Sequence, residues 1–206
     1  MKTIWCSLAL MLVGGCASSS KIVSMGDPSP APQAKDYVDQ VKRWTRHGDL
    51  RSDFDATMII DATLHSPEFH AAYVAKYLEV YRVSDSAKAT IAATVPNAPT
   101  SYEFHVETQT HTYEVNELKP PKSIWRMTLI DDTGREVQTT EVKLENSRPE
   151  WLQTFYPYTA LFGRPWRVLF PRTLSDGTPL VSESTKALTL RIAGPAGSID
   201  LVWQLK

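Results

Sequence analysis

The spacing of apolar residues predicts helices in the first half of the chain. Apolar positions over 37–44 recur on one helix face, and we expect this amphipathic helix to end at Gly48. Ser66 is followed by a proline, a pair that is typical of a helix start, so we expect a second helix over 66–81. A third helical turn is expected to end near Ala93.

The rest of the pattern is that of β-strands. Apolar and polar residues alternate over 54–65, and again through most of the chain after position 99. We expect two hairpins, one around the turn at 132–134 and one around the turn at 194–197. In the second arm of the first hairpin the alternation shifts over 137–142, which predicts a β-bulge.

These elements predict an α+β protein, an antiparallel and immunoglobulin-like β-sandwich preceded by two or three N-terminal helices. We expect a single globular domain over 35–206, with a helical part over 35–98 and a mainly β part over 99–206. Serine and proline are frequent over 16–34, so this segment is expected to be a flexible linker.

The first residues of the chain have the composition of a signal peptide. Lys2 supplies a positive charge, and the apolar stretch over 4–13 that follows is too short to span a bilayer. The segment ends in Val-Gly-Gly-Cys at 13–16, which resembles the lipobox of bacterial lipoproteins. The resemblance implies that a lipoprotein signal peptide over 1–15 is removed and that Cys16 carries a covalent lipid that includes palmitate.

The same resemblance implies where the protein lies. In lipoproteins of bacteria with two membranes, a residue other than aspartate after the lipidated cysteine implies export to the outer membrane, and Ala17 fits that rule. We therefore expect a lipid-anchored protein of the cell outer membrane that faces the periplasm, with the bilayer as one partner. The alternatives are a signal peptide that is cut at Ala17 or later, or a buried N-terminal strand.

Composition excludes several function classes. The 22 Lys and Arg residues are balanced by 23 Asp and Glu residues, so we expect no binding to nucleic acid. The chain has no glycine-rich phosphate loop and no Gly-x-Ser-x-Gly motif, and we expect no cofactor beyond the lipid at Cys16. The segments 43–81 and 124–170 resemble uncharacterised proteobacterial lipoproteins, a likeness that implies no activity.

Three residues of one predicted strand form a candidate metal site. His105, Glu107 and His111 have the same parity, and residues two apart on a strand point to one face about 7 Å apart. Imidazole and carboxylate ligands suit zinc or a similar ion. The alternative interpretation is that these polar residues form the solvated face of a half-buried strand.

An aromatic-rich segment over 151–170 is the second candidate. Exposed rings of Trp151, Tyr156 and Tyr158 would suit a glycan or a protein partner. The alternative is that the rings fill the core. Because three prolines interrupt this part of the chain, we expect a structured crossover with one helical turn.

The sequence therefore leaves three functions open. We expect first a non-catalytic module for interaction or assembly in the cell envelope, with a protein partner there. The alternatives are a metal-binding protein or metal-dependent hydrolase that uses His105, Glu107 and His111, and a glycan-binding module that uses the aromatic-rich segment.

Overall fold

The computed structural model describes residues 21–52, 55–111, 113–146 and 149–206; the signal peptide, Cys16 and Phe54 lie outside these ranges. The helices in the described part are α1 (Tyr37–Trp44), α2 (Pro67–Val80), α3 (Lys88–Ala92) and α4 (Pro149–Phe155). The strands are β1 (Thr45–Ser52), β2 (Asp55–Leu64), β3 (Ser101–Gln109), β4 (Arg126–Asp131), β5 (Glu136–Gln138), β6 (Glu141–Leu144), β7 (Arg164–Pro171), β8 (Ala187–Gly194) and β9 (Gly197–Gln204).

The strands form two antiparallel sheets. The five-stranded sheet has the order β1-β2-β3-β7-β6, and the four-stranded sheet has the order β5-β4-β8-β9. The predicted α+β class is therefore confirmed. The helices do not all precede the strands, because β1 and β2 lie between α1 and α2. Within the described ranges, every helix is too short or too polar to cross a bilayer.

The prediction that the first helix ends at Gly48 is wrong. Gly48 lies inside β1. The helix ends four residues earlier at Trp44, whose carbonyl accepts a hydrogen bond of 2.8 Å from the indole nitrogen of Trp203. A Cβ atom on Gly48 would lie 2.6 Å from Ile199 Cγ2 and 2.9 Å from Leu201 Cδ2. Glycine is needed here because β1 and β9 approach each other closely.

The strands predicted from alternation are present, but one is divided between the two sheets. Both hairpins form, β4 with β5 and β8 with β9. The shift in alternation is not a bulge, since β5 belongs to the four-stranded sheet and β6 to the five-stranded sheet. Val137 and Val142 are both buried, and the chain passes from one sheet to the other between them.

The apolar faces of the two sheets contact each other. The ring of Phe104 on β3 meets the ring of Trp203 on β9 edge-on, with centroids 5.3 Å apart, and also meets Phe170 on β7 at 5.6 Å. One hydrophobic cluster includes side chains from both sheets and from α1, α2 and α4. Its largest fully buried members are Trp44, Trp166, Trp203, Tyr37, Phe69, Phe104, Phe155, Phe170, Met58, Ile60, Leu64 and Leu118.

The folded part of the chain begins earlier than the predicted linker allows. Val23 is buried and forms a parallel bridge with Leu205. Its N–H donates to the carbonyl of Gln204 at 2.9 Å, and its carbonyl accepts from the N–H of Lys206 at 3.0 Å. The linker expected over 16–34 is therefore not free along its length, because an apolar side chain in its first half is held against the end of β9.

We expect the substitution Gly48→Ala to lower the free energy of unfolding by about 1–3 kcal/mol, since the added methyl group overpacks the contact between β1 and β9. Gly26→Ala is the matched control, because a Cβ atom there meets only Ser24 Oγ at 3.6 Å. Chemical unfolding of both variants measures the difference, and equal stabilities would contradict the close approach of the two strands.

Candidate functional site

The polar face of β3 is buried, which corrects the interpretation of its polar residues as a solvated strand face. Glu103, His105 and Glu107 are 7%, 2% and 1% exposed. The cover comes from the segment 156–163, which joins α4 to β7. The Tyr156 ring stacks on the His105 imidazole with centroids 3.6 Å apart and planes 3° apart.

Two of these polar side chains form buried or half-buried ion pairs. Arg167 on β7 donates to both carboxylate oxygens of Glu103, at 2.7 and 3.3 Å. His105 Nδ1 lies 2.9 Å from Glu145 Oε2. Burial by itself would raise the pKa of Glu145, but the hydrogen bond and charge of His105 outweigh it and hold that pKa below its ordinary value.

Glu107 has no such partner. Among the described residues, neither of its carboxylate oxygens has a hydrogen bond of normal geometry. A Cβ atom on Gly163 would lie 1.6 Å from Glu107 Oε1, so the backbone of the covering segment lies directly on the carboxyl group. The sequence gives a weak signal for this contact, a glycine at the end of an aromatic-rich segment.

The pKa of Glu107 follows from these surroundings. The pKa of Glu107 is raised from 4.5 to about 8, mainly by burial, with the backbone N–H of Ala160 opposing the shift and the charges of Asp61 and Glu145 adding to it. Glu107 therefore carries a proton at neutral pH, as a buried carboxyl group without a counter-charge requires.

The structure does not bring the three predicted metal ligands together. His111 lies beyond the end of β3 and is exposed, whereas His105 and Glu107 are covered by the segment 156–163. Within the described residues, no three His, Cys, Asp or Glu side chains lie close enough to hold a metal ion. The metal site stays a prediction that this geometry does not support.

The predicted aromatic surface faces the interior to a large extent. Tyr156 is buried, and its hydroxyl is hydrogen-bonded to His65 Nε2 at 2.7 Å. Tyr158 and Trp151 are half-buried against the core, and Trp151 Nε1 donates to the Tyr81 hydroxyl at 2.8 Å. Tyr156 therefore fills the core and the other two rings pack against it, in a crossover whose one short helix is α4, as expected.

The exposed apolar residues of the same segment are not the three rings singled out from the sequence. Leu161 and Phe162 are 73% and 92% exposed, and we call this pair the apolar tip. Phe162 also lines a cavity of about 310 Å³ together with Ile59, Gln109, Thr110 and His111. Alternation could not identify the tip, because the segment is neither helix nor strand and gives no periodicity.

The apolar tip and Val23 lie at opposite ends of the five-stranded sheet. Tyr102, near the start of β3, lines a cavity together with Leu205, the partner of Val23. Gln109, at the end of β3, lines the cavity beside Phe162. Gln109 is seven residue steps along the extended strand from Tyr102, a distance of about 23 Å.

We expect the pH dependence of stability to reveal the buried Glu107. Its folded-state pKa is raised, so between pH 4.5 and about 8 the folded protein holds a proton that the unfolded chain releases. Stability from this group is therefore lost as the pH rises through that window, by about 5 kcal/mol in all.

The substitution Glu107→Gln should remove that loss, so that the variant gains stability relative to wild type between pH 5 and pH 8. Glu150→Gln, at an exposed position on α4, should follow the wild-type profile. Chemical unfolding at pH 5, 6.5 and 8 measures both profiles. Parallel profiles for Glu107→Gln and wild type would contradict the protonated carboxyl group.

Comparison with known proteins assigns no activity to this site. No family model, no curated protein and no solved structure matches the chain. The buried polar face of β3, its covering segment and the apolar tip are therefore the features from which a function has to be inferred.

Proposed function

We propose that this protein is a lipid-anchored, non-catalytic interaction module of the bacterial cell envelope. A lipid on Cys16 holds it to the outer membrane, and the apolar tip contacts a protein partner on the periplasmic side. The observation that carries the proposal is the placement of Val23 and the apolar tip at opposite ends of the five-stranded sheet.

The position of Val23 supports this orientation. Val23 is seven residue steps after Cys16, so a fully extended tether is at most about 25 Å long. A lipid on Cys16 therefore keeps the Val23 end of the sheet close to the bilayer. The apolar tip then points away from the membrane that holds the anchor, which favours a protein partner over insertion into that same membrane.

The chemistry of the apolar tip also favours a protein. Two large apolar side chains lie side by side in contact with water, and aromatic residues of this kind carry much of the binding energy at protein interfaces. The segment below them is held by the Tyr156 stack on His105 and by the contact of Gly163 with Glu107. An apolar tip on a segment that is already held in place loses little conformational entropy when it binds a partner.

The finer architecture belongs to the same proposal. We propose that the two sheets form a β-sandwich with immunoglobulin-like character, in a single domain. The support is the edge-on contact of Phe104 with Trp203 across the sheets and the passage of the chain between sheets after β5. The metal-binding and glycan-binding alternatives lack comparable support, because His111 lies apart from His105 and Tyr156 is buried.

The apolar tip is tested by the double substitution Leu161→Ser and Phe162→Ser. Both side chains are exposed, so we expect the free energy of unfolding to change by less than about 1 kcal/mol. Crosslinking in whole cells, followed by purification, should recover a partner protein with wild type and lose at least about nine-tenths of it with the variant.

Val38→Ser is the matched control, because Val38 is another exposed apolar side chain, 51% exposed, on the outer side of α1. It should leave the crosslinked partner in place. A partner that is recovered equally well with the double variant would contradict the assignment of the apolar tip.

The anchor is tested by Cys16→Ser, with Cys6→Ser as the control inside the signal peptide. Only Cys16→Ser should abolish labelling with radioactive palmitate and prevent processing of the precursor. The mature wild-type protein should sediment with the outer-membrane fraction. Unchanged labelling and processing in Cys16→Ser would contradict the anchor and leave the apolar tip to be judged by its own experiment.

A further inference from the structure

Arg172 lies between two cavities at the Val23 end of the molecule. The first cavity, of about 480 Å³, is lined by Ser24, Met25 and Gly26, directly after Val23, and by residues of β3 and the C-terminal segment. The second, of about 420 Å³, is lined by residues that begin α2. Arg172 lines both, so its half-buried side chain forms a wall that the two cavities share.

The guanidinium group of Arg172 has spare hydrogen-bonding capacity. Its Nε donates to the carbonyl of Ser101 at 3.2 Å, and the group lies over the Tyr102 ring at 4.9 Å. Within the described residues, no carboxylate oxygen lies within 4.0 Å of it, and its two terminal nitrogens donate to no protein group. By contrast, Arg167 and Arg191 each hold a carboxylate through two nitrogens.

The other residues around Arg172 suit an organic anion. The first cavity offers the hydroxyls of Ser182 and Thr185 and the ammonium group of Lys206, and the second offers the amide of Asn97 and the imidazole of His70. Apolar side chains complete the walls, among them Met25, Val181, Leu205, Pro67 and Ala71. Cavities of this size hold small organic ligands rather than single ions.

We propose that Arg172 is the anchor of a binding site for the phosphate group of an organic phosphate ester, whose apolar part lies along the adjoining cavity walls. A guanidinium fork matches two phosphate oxygens, and neighbouring hydroxyl, amide and ammonium donors serve the remaining oxygen atoms. Asp27 and Glu183 also line the two cavities but are exposed, so water screens their charges.

The binding site does not depend on the proposed lipid on Cys16, but the source of the phosphate group does. With Cys16 in the membrane, the cavity next to Val23 lies within the tether's reach of the bilayer surface, where phospholipid headgroups are concentrated. A lipid headgroup then supplies the phosphate group. Without the anchor, a free phosphate ester would supply the same chemical group.

The experiment uses the full chain in nonionic detergent and three probes. These are inorganic phosphate, glycerol 3-phosphate, and dihexanoyl phosphatidylglycerol kept below its micelle concentration. Binding is followed by calorimetry and by broadening of the phosphorus NMR signal. We expect wild type to bind, and Arg172→Gln to bind at least about tenfold more weakly because the guanidinium fork is lost.

Arg126→Gln is the control, since Arg126 is an exposed arginine on β4 whose loss should change probe binding by less than about twofold. Arg172→Lys keeps the positive charge and the stem beside Tyr102, and it should weaken binding several-fold in a folded protein. The melting temperature without probe shows that each variant is folded.

The outcomes separate the two sources. Tighter binding of the lipid than of both water-soluble probes supports a headgroup site, and binding of glycerol 3-phosphate without the lipid supports a free ester. Wild type that binds none of the probes, or folded Arg172 variants that bind as tightly as wild type, overturns the proposal. Neither result changes the palmitate labelling or the crosslinking, so the proposed function is judged separately.

Discussion

The structure depends on one constraint, that the central strand β3 is buried on both faces although one face carries two carboxylic acids and an imidazole. A charged group can be buried only if it is paired or loses its charge. The chain uses both solutions within five residues. Glu103 is paired with Arg167 on the neighbouring strand β7, and His105 with Glu145, directly after β6. Glu107 has no such partner and holds a proton.

The burial of the polar face of β3 also determines where the apolar tip lies. The segment 156–163 has to lie flat on β3 to exclude water, and its fit depends on one aromatic stack and one glycine. The inner side of the segment covers the polar groups of β3. The apolar residues near its end, Leu161 and Phe162, therefore do not pack into the core. The exposure of Leu161 and Phe162 is thus a consequence of what the rest of the segment covers.

Much of the fold could be predicted from alternation, because alternation is a local property. The hairpins of β4 with β5 and of β8 with β9 follow from short turns between periodic strands. The passage of the chain from β5 to β6 could not be predicted in this way. A β-bulge and a change of sheet produce the same shift in the alternation of apolar and polar residues. Only the packing of Val137 and Val142 distinguishes the two.

The candidate sites were harder to predict, for a different reason. Periodicity shows that His105 and Glu107 share a face, but what covers that face comes from a segment about fifty residues later. The cavity beside Arg172 depends even more on residues that are distant in sequence. Val181, Leu205 and Met25 line it and come from three separate parts of the chain. Such sites depend on tertiary packing, which no short-range pattern records.

The bridge between Val23 and Leu205 has a mechanical consequence. In the proposed arrangement, a pull between the lipid on Cys16 and a partner at the apolar tip would act along the strands, where the long antiparallel pairs resist it with many hydrogen bonds. Val23 resists with only two backbone hydrogen bonds. If this bridge opened while the sheets stayed folded, the eleven residues from Val23 to the turn at Ala34 would add about 35 Å of reach.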